Sequence, residues 1–201
     1  MPKTRTRKDE EVGSRDRLIA ATDRLLRQHG YTGTSLADIA TEGKAPMGSI
    51  YFHFPGGKEQ LAVEALKHGA AEVAEGMRLA LAAGRNPVQA LANCATRWAD
   101  IMEASDWKGG CPVAATALQM CSTSDPIRSA CAEIFQSWIN LLSDYLLGVG
   151  YSKGDANRLA ETTISLLEGG ELLARVQRHR GPLDRMADAI TAQAKQFPRR
   201  S

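Results

Sequence analysis

Residues 34–61 read TSLADIATEGKAPMGSIYFHFPGGKEQL, and this stretch decides the fold. Leu36, Ile39 and Ala40 recur at helical spacing behind Thr34 or Ser35, either of which can cap the helix they form. Gly43 ends that helix. Pro46 suits the first turn of the next one, because its missing N–H would have had no intrahelical partner there. This third helix runs from Met47 to about His53, and Phe54-Pro55-Gly56-Gly57 breaks it. Two short helices separated by Gly43-Lys44-Ala45, with Leu36, Ile39, Ala40, Ala45, Ile50 and Phe54 turned inward, make a helix-turn-helix. In that arrangement the second helix lies in a DNA major groove.

Helical periodicity continues on both sides. Upstream, Ser14 can cap a first helix whose Leu18, Ala21, Thr22, Leu25 and Leu26 form one stripe, stopped by Gly30, with Tyr31 packing after it. Downstream, a long fourth helix from about Lys58 to Ala83 reads as a connector. Its Leu61, Ala62, Ala65 and Leu66 pack back, and its Val73, Met77 and Leu81 pack forward. Turn signals then delimit helices at 87 to about 104, 111–121, 126 to about 147, 155 to about 179, and 183–196. Period-two strand patterns are absent. The expectation is an all-α chain of about nine helices: a helix-turn-helix unit over 1–56 with a basic tail, then a helical body over 57–201.

The 201 residues are 43% apolar and 24% charged, near the globular average, which excludes wholesale disorder. The formal net charge is only +2, but it is unevenly placed. Residues 1–60 hold ten Lys/Arg against eight Asp/Glu, and the rest of the chain is balanced. Lys3, Arg5, Arg7 and Lys8 make the tail basic, suited to a solvated segment or to an arm on DNA. No apolar run approaches the roughly 18 residues of a membrane helix, and no apolar stretch follows the basic start as in a signal peptide. Four cysteines without CxxC spacing suit reduced thiols and a cytoplasmic chain.

Thr34-Ser35-Leu36-Ala37-Asp38-Ile39-Ala40, followed by Gly48-Ser49-Ile50-Tyr51-Phe52-His53-Phe54 and the Lys58-Glu59-Gln60-Leu61 helix start, resembles the DNA-binding signature of the TetR family of bacterial repressors. Trp107-Lys108-Gly109-Gly110-Cys111-Pro112-Val113, with the double glycine of Phe54–Leu61, resembles its LmrA/YxaF-like branch. One departure is Lys44, where the family usually has Gly.

The resemblance implies a homodimer on double-stranded operator DNA, with contacts from Thr34, Ser35, Lys44, Pro46, Met47, Gly48, Ser49, Tyr51, His53 and Lys58. The hydroxyls of Thr34 and Tyr51 suit phosphate, and Lys58 adds charge at a helix N-terminus. Met47, Ser49 and His53 are the candidates for base edges, and Gly48 permits close backbone approach. At helical spacing alone Tyr51 and Phe52 read as core, and the motif reverses this for Tyr51. Ser35 reads equally as a cap.

Residues 87–201 hold no GxSxG, phosphate loop, nucleophile–base pair or metal-spaced His/Cys set, so neither an enzyme, a cofactor nor a metal is expected. Five of the eleven aromatics fall between 98 and 145. Any one of them reads as core. The resemblance points to an effector pocket for a small apolar or aromatic ligand, with Trp98, Met102, Trp107, Met120, Cys131, Phe135 and Trp138 as candidate lining. It also implies that the last two helices join two protomers, through Leu159, Ile164, Leu167, Gly170, Leu173, Met186 and Ile190. Cys111 lies at a helix start, which favours a thiolate, though a small buried residue beside Pro112 is the commoner outcome. The resulting expectation is a repressor released from a palindromic operator by its ligand. An activator, or an adaptor without ligand, is the alternative.

Overall fold

The chain folds around a series of helices whose ends are set by side-chain caps, prolines and glycines. The computed structural model describes residues 13–197. Among them run α1 (Ser14–His29), α2 (Leu36–Glu42), α3 (Met47–His53), α4 (Gly57–Ala82), α5 (Pro87–Ala104), α6 (Pro112–Met120), α7 (Asp125–Gly148), α8 (Lys153–Gln177) and α9 (Gly181–Gln196). The basic tail at Lys3, Arg5, Arg7 and Lys8 lies outside the described residues.

The punctuation works as its chemistry requires. Ser35 caps α2 in a capping box. Asp38 N–H donates to Ser35 Oγ, and Ser35 N–H donates to Asp38 Oδ2, both at 3.1 Å. Asn86, Ser124 and Ser152 likewise cap α5, α7 and α8. Two expected caps differ. Gly13, not Ser14, precedes α1, and Ser14 Oγ instead shares a 2.8 Å hydrogen bond with His53 Nε2 at the end of α3. Pro46 is the N-cap residue of α3 and stands one position before its first turn.

α1, α2 and α3 close around Leu18, Leu26, Ile39, Ile50 and Phe54, all fully buried. Gly43 lets α2 end tightly on α1, since a Cβ there would stand 3.1 Å from Leu18 Cδ2. Arg17 Nε then donates to the freed Gly43 carbonyl at 3.2 Å. α4 packs its first turns, through Leu61, Ala62, Ala65 and Leu66, on this unit, and its later turns, through Met77, Ala80 and Leu81, on α5 and α7. α9 lies across α5 and α8. One apolar cluster runs from Leu18 in α1 to Ala194 in α9, so the small unit and the body share a continuous core.

Candidate nucleic-acid interface and internal cavity

The seven-residue α3 is too short to be stable alone, so its exposure pattern is set by what holds it from behind. Ile50 and Phe54, four apart, face the core. Met47, Tyr51 and Phe52 therefore face out, at 40%, 57% and 80% exposure, with Gly48 beside them and Ser49 half-buried. A Cβ at Gly48 would meet nothing within 4 Å, so no packing inside the chain requires glycine there. Phe52, absent from the expected contact set, is the most exposed side chain of the helix. Its position two residues from both Ile50 and Phe54 is the signal that places it outside.

Other expected contacts sit differently. Thr34 is buried, and its Oγ1 donates to the Gly30 carbonyl at 2.8 Å, closing the α1–α2 turn and removing the hydroxyl from solvent. Its expected phosphate contact is thereby corrected. Lys58 Nζ donates to the Tyr31 carbonyl at 2.7 Å and lies 4.1 Å from the centre of the Tyr31 ring. Burial lowers its pKa, and the cation serves first to bind the start of α4 to that turn. Ser35 is exposed but engaged in its capping box, and His53 is half-buried against Ser14. Lys44 is exposed in the left-handed region at φ 47°, the conformation that glycine adopts at least cost.

Where the end of α1, the middle of α4, the second half of α5 and the α5–α6 connection meet, they border a partly open cavity of about 410 Å³. Val73, Met77, Trp98, Ile101 and Met102 give it an apolar lining; Arg27, Glu72 and Arg97 add charge. Of the expected pocket residues, Trp98 and Met102 line it and the other five do not. Trp138 is core: it is 1% exposed, and its Nε1–H donates to the Ala70 carbonyl of α4 at 3.1 Å. Phe135 packs edge-on against Trp138, Cys131 is buried near the Val113 carbonyl, and Met120 leans on the same core. Trp107, at φ 60°, packs with Ala99, Met102, Ala174 and Leu183.

Behind the cavity lies a buried polar cluster that aromatic content could not reveal. Glu171 accepts from Trp98 Nε1–H and, at 2.7 Å, from Cys111 N–H. Burial raises the Glu171 pKa, opposed by these two donors and by Arg175 and Arg27. Glu168 is pushed up to about 8, by burial first and the Glu171 charge second, and its Oε2 has no hydrogen-bond partner. Cys111 caps α6 by accepting from Ala114 N–H at 3.4 Å. Burial, then the two carboxylates, push its thiol well above the ordinary value, which overrides the pull of the helix dipole toward a thiolate.

The small unit is tied to the body by polar contacts around this region. Arg27 Nη1 donates to the Gly110 carbonyl at 3.4 Å, and Arg175 Nη2 donates to the Gln28 carbonyl at 3.2 Å. Thr32 N–H donates to Gln119 Oε1 at 3.0 Å.

The expected association surface is also redistributed. Leu159, Ile164, Leu167 and Ile190 are at most 5% exposed within the single chain, so they have no surface left for a partner. Gly170 serves an internal approach: a Cβ there would stand 2.7 Å from Met186 Cγ of α9. Leu173 remains outside, joined by Leu172 and Val176. A Cβ at Gly169 would meet nothing within 4 Å.

Known proteins with these features are found over nearly the whole chain. Residues 18–65 match the family model described as bacterial regulatory proteins, tetR family. Residues 87–189 match that of the C-terminal domain of LmrA/YxaF-like transcriptional regulators. The HTH-type transcriptional regulators YxaF and LmrA of Bacillus subtilis are each 30% identical to this chain over 177 residues. The match covers 88% of this chain and 93% and 94% of theirs, respectively. The crystal structure of a TetR transcriptional regulator from Legionella pneumophila superposes with a TM-score of 0.78 at 23% identity. It covers 94% of this chain and all of that one, and it supports the fold.

Proposed function

This chain belongs to the TetR family of helix-turn-helix transcriptional regulators, with an LmrA/YxaF-like C-terminal domain, and we propose that it is a homodimeric repressor released from operator DNA by a small ligand. The carrying observation is the outer face of α3. Met47, Gly48, Tyr51 and Phe52 are exposed, with Ser49 half-buried beside them, on a helix whose other side is locked by Ile50 and Phe54. Tyr51 supplies a phosphate contact, Met47 and Ser49 reach base edges, and Gly48 lets the backbone approach. Lys44 and Pro46 flank that face at the turn. Ser35, His53 and Lys58 support it chiefly by fixing helix ends.

In this reading residues 1–56 are the DNA-reading unit and 57–201 the sensing and pairing body, with α4 continuous across the junction. Two protomers meet through the Leu172, Leu173 and Val176 face of α8, bringing two α3 helices to half-sites about 34 Å apart. The cavity is the ligand site. Its wall includes Arg27 of α1, so a ligand there contacts the reading unit and the body at once. Ligand affinity must differ between the DNA-bound and released arrangements for release to follow.

The test is a titration of the purified chain with DNA from its own upstream region at several salt concentrations. Saturable binding with a steep salt dependence, weakened about tenfold by Tyr51→Ala, is the expected result. Salt-insensitive or absent binding would favour an adaptor instead.

A further inference from the structure

The cavity's charge is not explained by its apolar lining. Two guanidinium groups and one carboxylate border it. Arg27 is paired with Asp23 at 2.8 Å and lies 3.7 Å from Glu72, yet its Nη2 is buried without a hydrogen-bond partner. Arg97, on α5, makes no hydrogen bond or ion pair among the described residues. It lies over α4 at Gly76, where a Cβ would stand 3.0 Å from its Nε. The absence of a side chain at that position leaves the guanidinium room beside the cavity wall. Glu72 is already shared between Arg27 and His68, at 3.7 Å from each.

We propose that the ligand is an organic anion, an apolar ring system lying against Val73, Met77, Trp98 and Met102 with one ionised acidic group paired to Arg97. This rests on the reading of the cavity as the ligand site and specifies its chemistry. A neutral apolar molecule of that size would cover Arg97 without replacing the water it displaces, and a desolvated cation without a partner is costly. A cationic molecule would meet Arg97, the guanidinium of the lining that has no carboxylate partner among the described residues. An acid returns to Arg97 the hydrogen bonds it loses, in the paired geometry a guanidinium favours. It also offers an acceptor to Arg27, whose Nη1 otherwise holds the Gly110 carbonyl of the body. Competition for that contact links occupancy to the position of α1. A volume near 410 Å³ accommodates two fused rings with one substituent.

The experiment is calorimetric titration of the 201-residue chain with three matched probes: 2-naphthoate, 2-naphthamide and 2-naphthylmethylammonium. The acid is expected to bind about tenfold tighter than the amide, with the ammonium weakest. Arg97→Met should erase the preference for the acid, and Arg97→Lys should restore part of it; both substitutions are at an exposed side chain that packing does not require. Equal binding of acid and amide, failure of the acid to bind, or an unchanged preference in Arg97→Met overturns the inference. If the amide alone binds and releases DNA, the ligand-response reading stands while the anionic chemistry falls.

Discussion

α3 and α8 both hold large apolar side chains in the open, but with different company. On α3, Met47, Tyr51 and Phe52 alternate with Gly48 and Ser49, so the face carries hydroxyls and backbone access among its apolar groups. On α8, Leu172, Leu173 and Val176, at 58%, 49% and 75% exposure, form a purely aliphatic strip. Exposure alone therefore does not name a partner. Phosphates and base edges need donors and acceptors between the apolar contacts, and protein–DNA interfaces are polar for that reason. A strip without polar groups gains only by meeting another apolar surface, and a second copy of the same strip is the simplest one.

The largest expected effect breaks the comparison at α8. Leu173→Glu with Val176→Glu should convert a dimer into a monomer at micromolar concentration in sedimentation, with helicity unchanged. Operator affinity should fall about a hundredfold or more, because the second reading unit no longer binds as part of the same molecule. A dimer that survives both substitutions would move the interface elsewhere.

The next tests act on α3. Tyr51→Ala should weaken binding about tenfold, evenly across DNA sequences, because a phosphate contact carries no sequence information. Melting temperature should not change, since the side chain is mostly in solvent. Met47→Ala should cost less, a few-fold, and unevenly, altering which base is preferred at one position. A uniform loss at Met47 with a selective loss at Tyr51 would reverse the assigned roles.

The sequence disclosed the ends of these helices well and the use of their interiors poorly. The junction of α1, α2 and α3 is legible because each of its turn residues answers a local demand: Gly30 a left-handed backbone, Ser35 a side-chain cap, Gly43 a close approach to α1, and Pro46 a helix start. The cavity is not legible, because tryptophan and methionine look alike in core and pocket. Trp138 and Trp98 differ by their surroundings: the Ala70 carbonyl of α4 accepts from one inside the core, while the other donates to Glu171 of α8 and borders the cavity. Leu167 and Leu173 differ in the same way. They share a stripe by residue type, but Leu167 falls inside the shared core and Leu173 falls outside it.

The inner side of α8 supplies the smallest effect and sharpens the comparison, since the helix that offers an apolar strip outside carries carboxylates inside. Burial, with the Glu171 charge second, pushes the Glu168 carboxyl up to about 8 from an ordinary 4.5, which favours its protonated form in the folded chain. A group raised on folding contributes fully below its unfolded value and loses that contribution as pH rises through its folded value. The wild-type chain should therefore lose stability between about pH 4.5 and about pH 8. Glu168→Gln keeps the shape without the ionisation and also relieves Glu171 of a like charge. Its melting temperature should run close to wild type near pH 5 and exceed it above pH 8, where the wild-type carboxylate is ionised in its buried site. Thermal melts from pH 5 to 9 decide this. If wild type and Glu168→Gln run parallel across that range, Glu168 is ionised and hydrated in the native chain, and α8 is less sealed on its inner side than its packing against α9 implies.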